Sequence, residues 1–383
     1  MILPGNTLGV LGGGQLGRMF CEAARPLGYQ TVVLDPDPGS PAGHVADKHI
    51  CADYKDEAAL AQMGKLCAAI TVEFENVPAS SMQYLGQHCQ IHPTPEALQI
   101  CRDRIREKTF LREHDLPTAP FVAIANKSQL EQAIQTIGVP ALLKTATGGY
   151  DGKGQQLITE KNQIEAAFAK LNQRPCVLEQ RLELSLELSV IIARSTQGTT
   201  CCYPVAENRH ENGILDTSIV PARIPDQLAR QVSRLATQVA EKLGFVGVLA
   251  VEFFVVSDSL LINEIAPRPH NSGHYSLNAS VSSQFEQQVR MLCDLPAGDT
   301  TLLSPVVMTN LLGELWTHST PDWKNLLKNP SAKLHLYGKK KARPGRKMGH
   351  FNLLHPDIEQ ALLLSREIKK ALAISQTSTA GNP

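Results

Sequence analysis

The first third of the chain repeats one pattern, a short apolar run followed by a turn and then by a helical segment. Thr7–Leu11 is typical of a buried strand, Gly12-Gly-Gly of its turn, and residues 15–27 of a helix ending at Gly28. Further strands are predicted at residues 30–35 and 68–72. Strands that alternate with helices predict a parallel sheet with right-handed crossovers. We therefore expect the chain to begin with a Rossmann-like α/β domain.

A chain of 383 residues is long enough for two or three domains. Thr94-Pro95 has the form of an N-cap followed by proline in the first helical position, and predicts a helix through about residue 113. We place the domain boundaries near residues 95 and 300, which gives domains 1–95, 96–300 and 301–383. The last domain is expected to be small and rich in β-structure, with a disordered polar tail from Ser375.

The formal net charge is zero, which argues against a protein that wraps a nucleic acid. The nine cysteines include no Cys-x-x-Cys pair, so neither a zinc cluster nor a disulfide framework is indicated. No segment has the form of a signal peptide or a bilayer span. We expect a soluble, cytoplasmic protein that acts on small molecules, without a membrane partner.

Lys144 ends an apolar run and is followed by four glycines within residues 148–154. This pattern predicts a strand that delivers a cation to a loop with exposed backbone. Glycine permits positive φ and removes side chains, so N–H groups can converge on phosphate oxygens, while Lys144 and Lys153 supply charge. A solvated turn is the alternative interpretation.

Two strand-like runs, residues 250–256 and 260–264, are joined by Ser257-Asp-Ser259 and predict a hairpin centred on Asp258. Residues equidistant from that centre pair across the ladder, which sets Glu252 opposite Glu264 with Cβ atoms roughly 5 Å apart. Facing carboxylates repel unless one is protonated or a cation bridges them. Beside a phosphate loop, Mg²⁺ or Mn²⁺ is the expected occupant. The alternative is a solvated acidic face with another register.

Gly12-x-Gly14-x-x-Gly17, with Asp35 ending the next strand, satisfies the dinucleotide-binding pattern, so an NAD-dependent oxidoreductase is an alternative function. The same glycine turn attracts the phosphate of any ligand. A nicotinamide enzyme has no need of a glycine-lysine loop followed by a carboxylate pair, whereas an ATP-consuming ligase needs both. The sequence therefore favours a ligase.

Six motifs occur in series between about residue 8 and residue 350. They are residues 12–19, 73–77, Lys144 with 149–155, 187–190, 263–274 and 343–350. In this order they resemble the 5-(carboxyamino)imidazole ribonucleotide synthases of purine biosynthesis, which are ATP-grasp ligases. That family joins ATP, bicarbonate and 5-aminoimidazole ribonucleotide through carboxyphosphate, giving the N-carboxylated product, ADP and phosphate. The resemblance implies a homodimer with an ATP-grasp fold, α/β and α+β in class, whose lid subdomain spans about residues 115–180.

The resemblance also implies the nucleotide site. The residues expected at its phosphates are Arg104, Lys144 and Lys153, and the backbone of the lid is formed by Gly149, Tyr150, Asp151, Gly152, Gly154 and Gln155. The strand that binds adenine contains Glu179, Gln180, Arg181 and Leu182, and the sugar and further nucleotide contacts are Glu187 and His210. The expected metal ligands are Glu252 and Glu264. Many ATP-grasp enzymes place an asparagine two residues after the second glutamate, where this chain has Ala266. The third protein ligand therefore stays open, with Asn263 as a candidate.

The residues expected to bind the ribonucleotide are Gln15, Leu16, Glu73, Asn271, Lys339, Arg346 and Lys347. We expect catalytic roles for Arg268 between the two substrates and for Lys153 and Asp151 in the lid. An acidic residue would be unfavourable in a loop that holds only polyphosphate, so Asp151 is expected to reach the amine of the ribonucleotide. A formate-dependent ligase of the same architecture, which formylates glycinamide ribonucleotide, is the second alternative.

Overall fold

The computed structural model describes residues 1–149, 152–317 and 319–374, and these form three sheets. The first sheet contains the parallel strands β1 (Thr7–Leu11), β2 (Gln30–Leu34), β3 (Lys48–Ile50), β4 (Ala69–Val72) and β5 (Gln90–Ile91) in the order β3-β2-β1-β4-β5. Its helices are α1 (Gln15–Ala24), α2 (Glu57–Leu66) and α3 (Ala79–Leu85). The predicted parallel sheet is present, and the predicted first helix is shorter because residues 25–28 form a turn.

The helix predicted from residue 95 through about 113 is two helices, α4 (Pro95–Cys101) and α5 (Arg104–Glu113). Thr94 caps the first as predicted, accepting a hydrogen bond from the amide of Ala97 at 3.3 Å. The single long helix was wrong because Asp103 starts a second one. Its side chain accepts hydrogen bonds from the amides of Ile105 and Arg106, at 2.9 and 3.3 Å, and so ends the first helix and caps the next.

The second sheet is antiparallel and carries the glycine loop. Its strands are β6 (Phe121–Ile124), β7 (Ala141–Thr145), β8 (Gln155–Ile158) and β9 (Cys176–Gln180) in the order β6-β9-β7-β8, with helices α6 (Leu130–Ile137) and α7 (Ile164–Lys170) against it. The loop joins β7 to β8, so Lys144 lies at the strand end that enters it. Its middle residues, Tyr150 and Asp151, lie outside the described residues.

The third sheet contains β10 (Leu186–Arg194), β11 (Thr200–Cys202), β12 (Ala206–Glu211), β13 (Ile214–Val220), β14 (Gly247–Val256), β15 (Ser259–Ala266), β16 (Val306–Leu312), β17 (Ala332–Leu336) and β18 (Lys347–Leu354). Its main path is β15-β14-β10-β12-β13-β16-β18-β17, with β11 paired to β10. Helices α8 (Asp226–Lys242), α9 (Ser276–Ala279), α10 (Gln284–Leu292), α11 (Lys324–Leu327) and α12 (Ile358–Ile374) complete it. Because β13 pairs with β16, this sheet continues across residue 300.

Helix α10 joins the first and third sheets through buried glutamines. Gln288 donates to the hydroxyl of Thr71 on β4 at 2.6 Å and accepts from the amide of Val248 on β14 at 2.7 Å. Val289 and Leu292 of the same helix pack in one core with the apolar side chains of β1 and α1. Directional bonds and apolar contacts together therefore fix the two sheets relative to each other.

Within the described ranges, no helix combines the length and the apolar character needed to cross a bilayer. The tail from Ser375 lies outside those ranges.

Candidate active site

One cavity of about 1380 Å³ lies between the three sheets and gathers residues from all of them. Most of the predicted site residues that the structure describes line it: Gln15, Leu16, Glu73, Arg104, Lys144, Gly149, Gly152, Lys153, Gln155, Glu179, Gln180, Arg181, Leu182, Glu187, His210, Glu252, Asn263, Glu264, Arg268, Asn271, Lys339, Arg346 and Lys347. Among the predicted residues that the structure describes, Gly154 alone does not line the cavity. Its carbonyl accepts from the amide of Thr145 at 2.9 Å.

The described ends of the glycine loop are held by Arg104, at the start of α5. Its guanidinium donates to the carbonyl of Thr145 at 2.9 Å and to that of Gly149 at 3.1 Å. A Cβ on Gly149 would lie 2.8 Å from the carbonyl oxygen of Lys153, so a side chain there would push the two sides of the loop apart. The predicted roles of Tyr150 and Asp151 fall outside the described residues.

Lys144 is paired with Glu179 on the neighbouring strand β9. The Lys144 ammonium lies 2.8 Å from the carboxylate, and the ammonium of Lys108 approaches the same oxygen at 3.9 Å. Burial would raise the pKa of Glu179, but the two lysines outweigh it and hold that pKa below its usual range. The site thus keeps two cations around one buried carboxylate.

Glu252 pairs directly with Glu264 across β14 and β15, as predicted. The route to this register differs from the predicted one. Val256 pairs with Ser259, so the turn contains only Ser257 and Asp258, with φ of Ser257 at 51°. The register then shifts between Glu252 and Phe253, where Asn263 forms an extra residue in β15 with no residue opposite it in β14. Without it, Glu252 would face Asn263.

The carboxylate pair fits a divalent cation. Burial, followed by the charge of Glu264, raises the pKa of Glu252, so a cation bound beside this carboxylate would be favourable. The side-chain amide of Asn263 lies 3.4 Å from Glu252, and His270 lies 3.3 Å from it. In the described part of the chain, no group of three or more histidine, cysteine or acidic side chains is arranged for a metal. A cation here would therefore take part of its oxygen shell from the ligand or from water.

Glu187 and His210 face each other from the adjacent strands β10 and β12, with 2.9 Å between Glu187 Oε2 and His210 Nδ1. Burial alone would lower the pKa of His210, but the Glu187 carboxylate raises it overall. Two positions along β10, the buried hydroxyl of Ser189 donates to the hydroxyl of Ser272 at 2.7 Å. Glu187 itself lines the cavity.

The amino-terminal glycine turn already holds two carboxylates. The amide of Gly13 donates to Asp35 at 2.7 Å and the amide of Gly14 donates to Glu73 in a short contact. A Cβ on Gly14 would lie 2.0 Å from Glu73. Burial raises the pKa of Glu73 to about 7. The amides that would meet a pyrophosphate in a dinucleotide site are thus paired with side chains, which removes the support for an NAD-dependent oxidoreductase.

Three of the predicted ribonucleotide residues, Lys339, Arg346 and Lys347, line the cavity from the loop between β17 and β18 and from the start of β18. Lys339 donates to the carbonyl of Lys347 at 2.7 Å, and the guanidinium of Arg346 donates to the carbonyl of Lys341 at 2.6 Å. Asn271 exchanges side-chain hydrogen bonds with Asn310, at 2.6 and 3.0 Å. This part of the cavity therefore offers ordered cations and amides that suit a phosphate and a sugar.

Arg268 lies in the loop after β15, where its Nε donates to the Glu75 carboxylate at 2.9 Å. Burial would raise the pKa of Glu75, but Arg268 lowers it overall. The guanidinium is thus held by the carboxylate of Glu75 and by the carbonyl of Pro269, to which it donates at 3.3 Å.

The charged wall residues that the sequence interpretation missed include Glu107 and Lys108 on α5, which are only 2% exposed. A signal was present in the sequence. Glu107 precedes Phe110 and Leu111 by three and four residues, which puts a carboxylate on the apolar face of the helix. Burying a charged group costs free energy unless the group is paired or hydrogen-bonded, so a charge on such a face suggests a specific partner.

Three family models match the chain in order. They are a ribonucleotide synthetase preATP-grasp domain at residues 5–102, an ATP-grasp domain at 109–285 and a phosphoribosylaminoimidazole carboxylase C-terminal domain at 306–363. The predicted ATP-grasp fold, with a parallel sheet before it and a further domain after it, is confirmed.

Relatives of known identity match the chain over nearly its whole length. The N5-carboxyaminoimidazole ribonucleotide synthase of Bacillus subtilis is 44% identical over 355 residues, which is 92% of this chain and 93% of that protein. A crystal structure of the ADP complex of such a synthetase superposes with a TM-score of 0.91 at 42% identity, covering 98% and 99% of the two chains. The enzyme of Aspergillus clavatus, in complex with ADP and 5-aminoimidazole ribonucleotide, matches with a TM-score of 0.88 at 31% identity, covering 96% and 98%.

Proposed function

Because the chain belongs to the N5-carboxyaminoimidazole ribonucleotide synthase family, we propose that it carboxylates the exocyclic amine of 5-aminoimidazole ribonucleotide in purine biosynthesis. ATP and bicarbonate are the other substrates, and ADP and phosphate the other products. One observation carries the proposal: a single cavity joins the Lys144 loop, the Glu252/Glu264 pair and the cationic end around Lys347. A ligase that couples a nucleotide to a phosphorylated substrate needs these three features in one space.

We assign the nucleotide to the part of the cavity between the second and third sheets. Arg104, Lys144 and Lys153 would contact the phosphates, and Glu179, Gln180, Arg181 and Leu182 on and after β9 would surround the base. Glu187 would accept hydrogen bonds from the sugar, with His210 beside it. The Lys144–Glu179 distance of 2.8 Å supports this placement, because it holds the lysine at the mouth of the glycine loop.

We propose Mg²⁺ or Mn²⁺ as the cation held by Glu252 and Glu264. When bound there, it would neutralise charge on the phosphates of ATP. Asn263, whose side-chain amide nitrogen donates to Glu252 at 3.4 Å, is our candidate for a further ligand through its amide oxygen.

The proposed reaction has two stages, phosphorylation of bicarbonate and carboxylation of the amine. A bicarbonate oxygen forms a bond to the γ-phosphorus while the bond from that phosphorus to the β-bridging oxygen breaks, which gives carboxyphosphate and ADP. Carboxyphosphate then releases phosphate and CO2, and the exocyclic nitrogen bonds to the carbon and loses a proton. Lys144, Lys153 and Arg268 would stabilise the negative charge on the transferred group. Carboxyphosphate hydrolyses readily, so the loop is expected to exclude water as it closes.

The ribonucleotide would lie at the opposite end, with Lys339, Arg346 and Lys347 at its phosphate. Gln15, Leu16, Glu73 and Asn271 would line its sugar and ring. Arg268 would stand between the two substrates, and Asp151 is expected at the amine. The hydrogen bond from Arg268 to Glu75 supports the central position, since Glu75 follows β4 at the edge where the glycine turn also ends.

Three further features belong to the proposal. The division into domains 1–95, 96–300 and 301–383, with a lid at about 115–180, is supported by family models that break near residues 102 to 109 and 285 to 306. A homodimer is implied by the resemblance of the motifs. A cytoplasmic location accords with nine cysteines that are all unpaired.

The decisive assay measures ADP release from ATP and 5-aminoimidazole ribonucleotide, with and without bicarbonate. We expect bicarbonate to stimulate release and formate to have no effect. Absence of stimulation by bicarbonate, or equal activity with formate and glycinamide ribonucleotide, would contradict the proposal. A change in nicotinamide absorbance would instead restore the oxidoreductase.

A further inference from the structure

Helix α5 brings two consecutive charged residues, Glu107 and Lys108, to the backbone on either side of Glu264. Glu107 Oε1 accepts a hydrogen bond from the amide of Ile265 at 2.9 Å. The ammonium of Lys108 donates to the carbonyl of Asn263 at 3.0 Å. The residue before Glu264 and the residue after it are therefore held by one helix.

Asn263 is the extra residue of the irregular pairing between β14 and β15. β15 is the edge strand of the third sheet, so backbone groups on its outer side have no neighbouring strand in that sheet, and buried groups of this kind cost free energy unless another group bonds them. Lys108 bonds the carbonyl of Asn263, and Glu107 bonds the amide of Ile265. The two side chains thus hold the backbone at the extra residue and just beyond it.

Lys108 also ties this segment to its surroundings. Its ammonium donates to the Thr118 hydroxyl at 2.9 Å, and that hydroxyl donates to the carbonyl of Ile262 at 2.9 Å. Lys108 further approaches Glu179, the partner of Lys144, at 3.9 Å. One buried cation therefore contacts both the strand of Glu264 and the strand next to the phosphate-binding lysine.

We propose that Glu107 and Lys108 are positioning residues, which hold the irregular segment of β15 so that Glu264, rather than Asn263, faces Glu252. The inference rests on the proposed function, because it assumes that the Glu252/Glu264 pair binds a divalent cation. It goes beyond that function by assigning the geometry of the pair to two residues that do not belong to the pair. A ladder without the extra residue would present one carboxylate and one amide, which is a poorer site for a divalent cation.

The test is the dissociation constant of Mn²⁺, measured by electron paramagnetic resonance on the full-length protein with saturating ADP. Lys108→Met and Glu107→Leu remove the two backbone contacts while keeping side-chain volume. We expect each to weaken Mn²⁺ binding by about tenfold or more, as is usual for groups that orient metal ligands. Glu107→Gln keeps an oxygen acceptor, and Arg106→Ala removes an exposed side chain of the same helix whose hydrogen bond goes to Gln99. Both controls are expected within about threefold of the unmodified protein.

Unchanged Mn²⁺ binding in Lys108→Met and Glu107→Leu would overturn the proposal, as would equal losses in all four variants. If Lys108→Met and Glu107→Leu do not fold, Glu107→Asp provides the test. This variant keeps the carboxylate but moves its oxygen away from the amide of Ile265. The proposal requires Glu107→Asp to bind Mn²⁺ more weakly than Glu107→Gln; the reverse order would refute it.

Failure of the proposed function gives a different result. If the unmodified protein and Glu264→Gln bind Mn²⁺ equally, the carboxylate pair is not the cation site. If Glu264→Gln abolishes binding and the positioning variants do not weaken it, only the present inference fails.

Discussion

The guanidinium of Arg268 and the carboxylate of Glu75 form a hydrogen-bonded ion pair of 2.9 Å. Arg268 follows the last residue of β15 by two positions, and Glu75 follows β4 by three. The pair therefore connects the β14–β15 hairpin to the edge of the first sheet. It orients a positive charge at the wall of the cavity.

We expect Arg268→Ala to reduce bicarbonate-dependent ADP release by a factor of about 100 or more, because it removes the cation that we propose to stabilise the transferred group. Glu75→Gln keeps an acceptor for Arg268 but loses the charge, and should cost a factor of about 10 or less. Steady-state assays over a range of bicarbonate concentrations measure both. Normal bicarbonate-dependent turnover in Arg268→Ala would refute the catalytic role.

Arg104 is expected to act through the shape of the glycine loop. Lysine at this position has one nitrogen and cannot reproduce the two contacts to Thr145 and Gly149 from separate guanidinium nitrogens. Arg104→Lys should therefore raise the KM for ATP by about tenfold, and Arg104→Ala by more. The exposed neighbour Arg106 provides the control, and Arg106→Ala should leave the KM for ATP as it is.

Glu252→Gln should stabilise the metal-free protein while reducing turnover. Burial and the nearby Glu264 raise the pKa of Glu252, so removing its charge relieves repulsion in the folded state. We expect a gain of about 1 kcal/mol in the free energy of unfolding without metal, and a loss of turnover of about 100-fold. Urea denaturation and the ADP-release assay measure the two effects. A loss of stability would contradict the repulsion argument, and Glu241→Gln on the exposed face of α8 is the control.

Glu73 predicts a pH dependence of stability. Its pKa is raised from 4.5 to about 7 in the folded protein, chiefly by burial. Between these values the folded state binds more protons than the unfolded state, so the contribution of Glu73 to stability falls as the pH rises. The stability of Glu73→Gln relative to the unmodified protein should therefore increase from pH 5 to pH 8. Urea titrations at both values test it, and a constant difference would contradict the raised pKa.

The strands were predictable where apolar runs had clear ends, as at Thr7–Leu11, whose bounds match the structure. The long helix after Thr94 was not, because Asp103 lies inside an otherwise helical sequence and its capping role depends on the chain turning there. Helix propensity cannot distinguish an exposed mid-helix aspartate from a cap.

The Glu252/Glu264 pairing was predicted correctly by a route that the structure corrects. A turn centred on Asp258 gives this register directly, whereas the structure reaches it through a turn shorter by one residue and an extra residue at Asn263. Pairing symmetry says nothing about such compensation. The local pattern places Glu107 on the apolar face of its helix, but it does not identify the partners of Glu107 and Lys108, which are backbone groups about 155 residues away along the chain.

The buried glutamines of α10 have a consequence for how the two ends of the site can evolve. A purely apolar interface tolerates a small rotation of one sheet relative to the other. Hydrogen bonds such as those of Gln288 are directional, so they restrict the angle between the two sheets. Replacing Gln288 by leucine would keep the first and third sheets in contact but would remove the hydrogen bonds that set their relative orientation. While Gln288 is present the angle between the two sheets is restricted, so we expect changes in substrate to arise from changes in the loops.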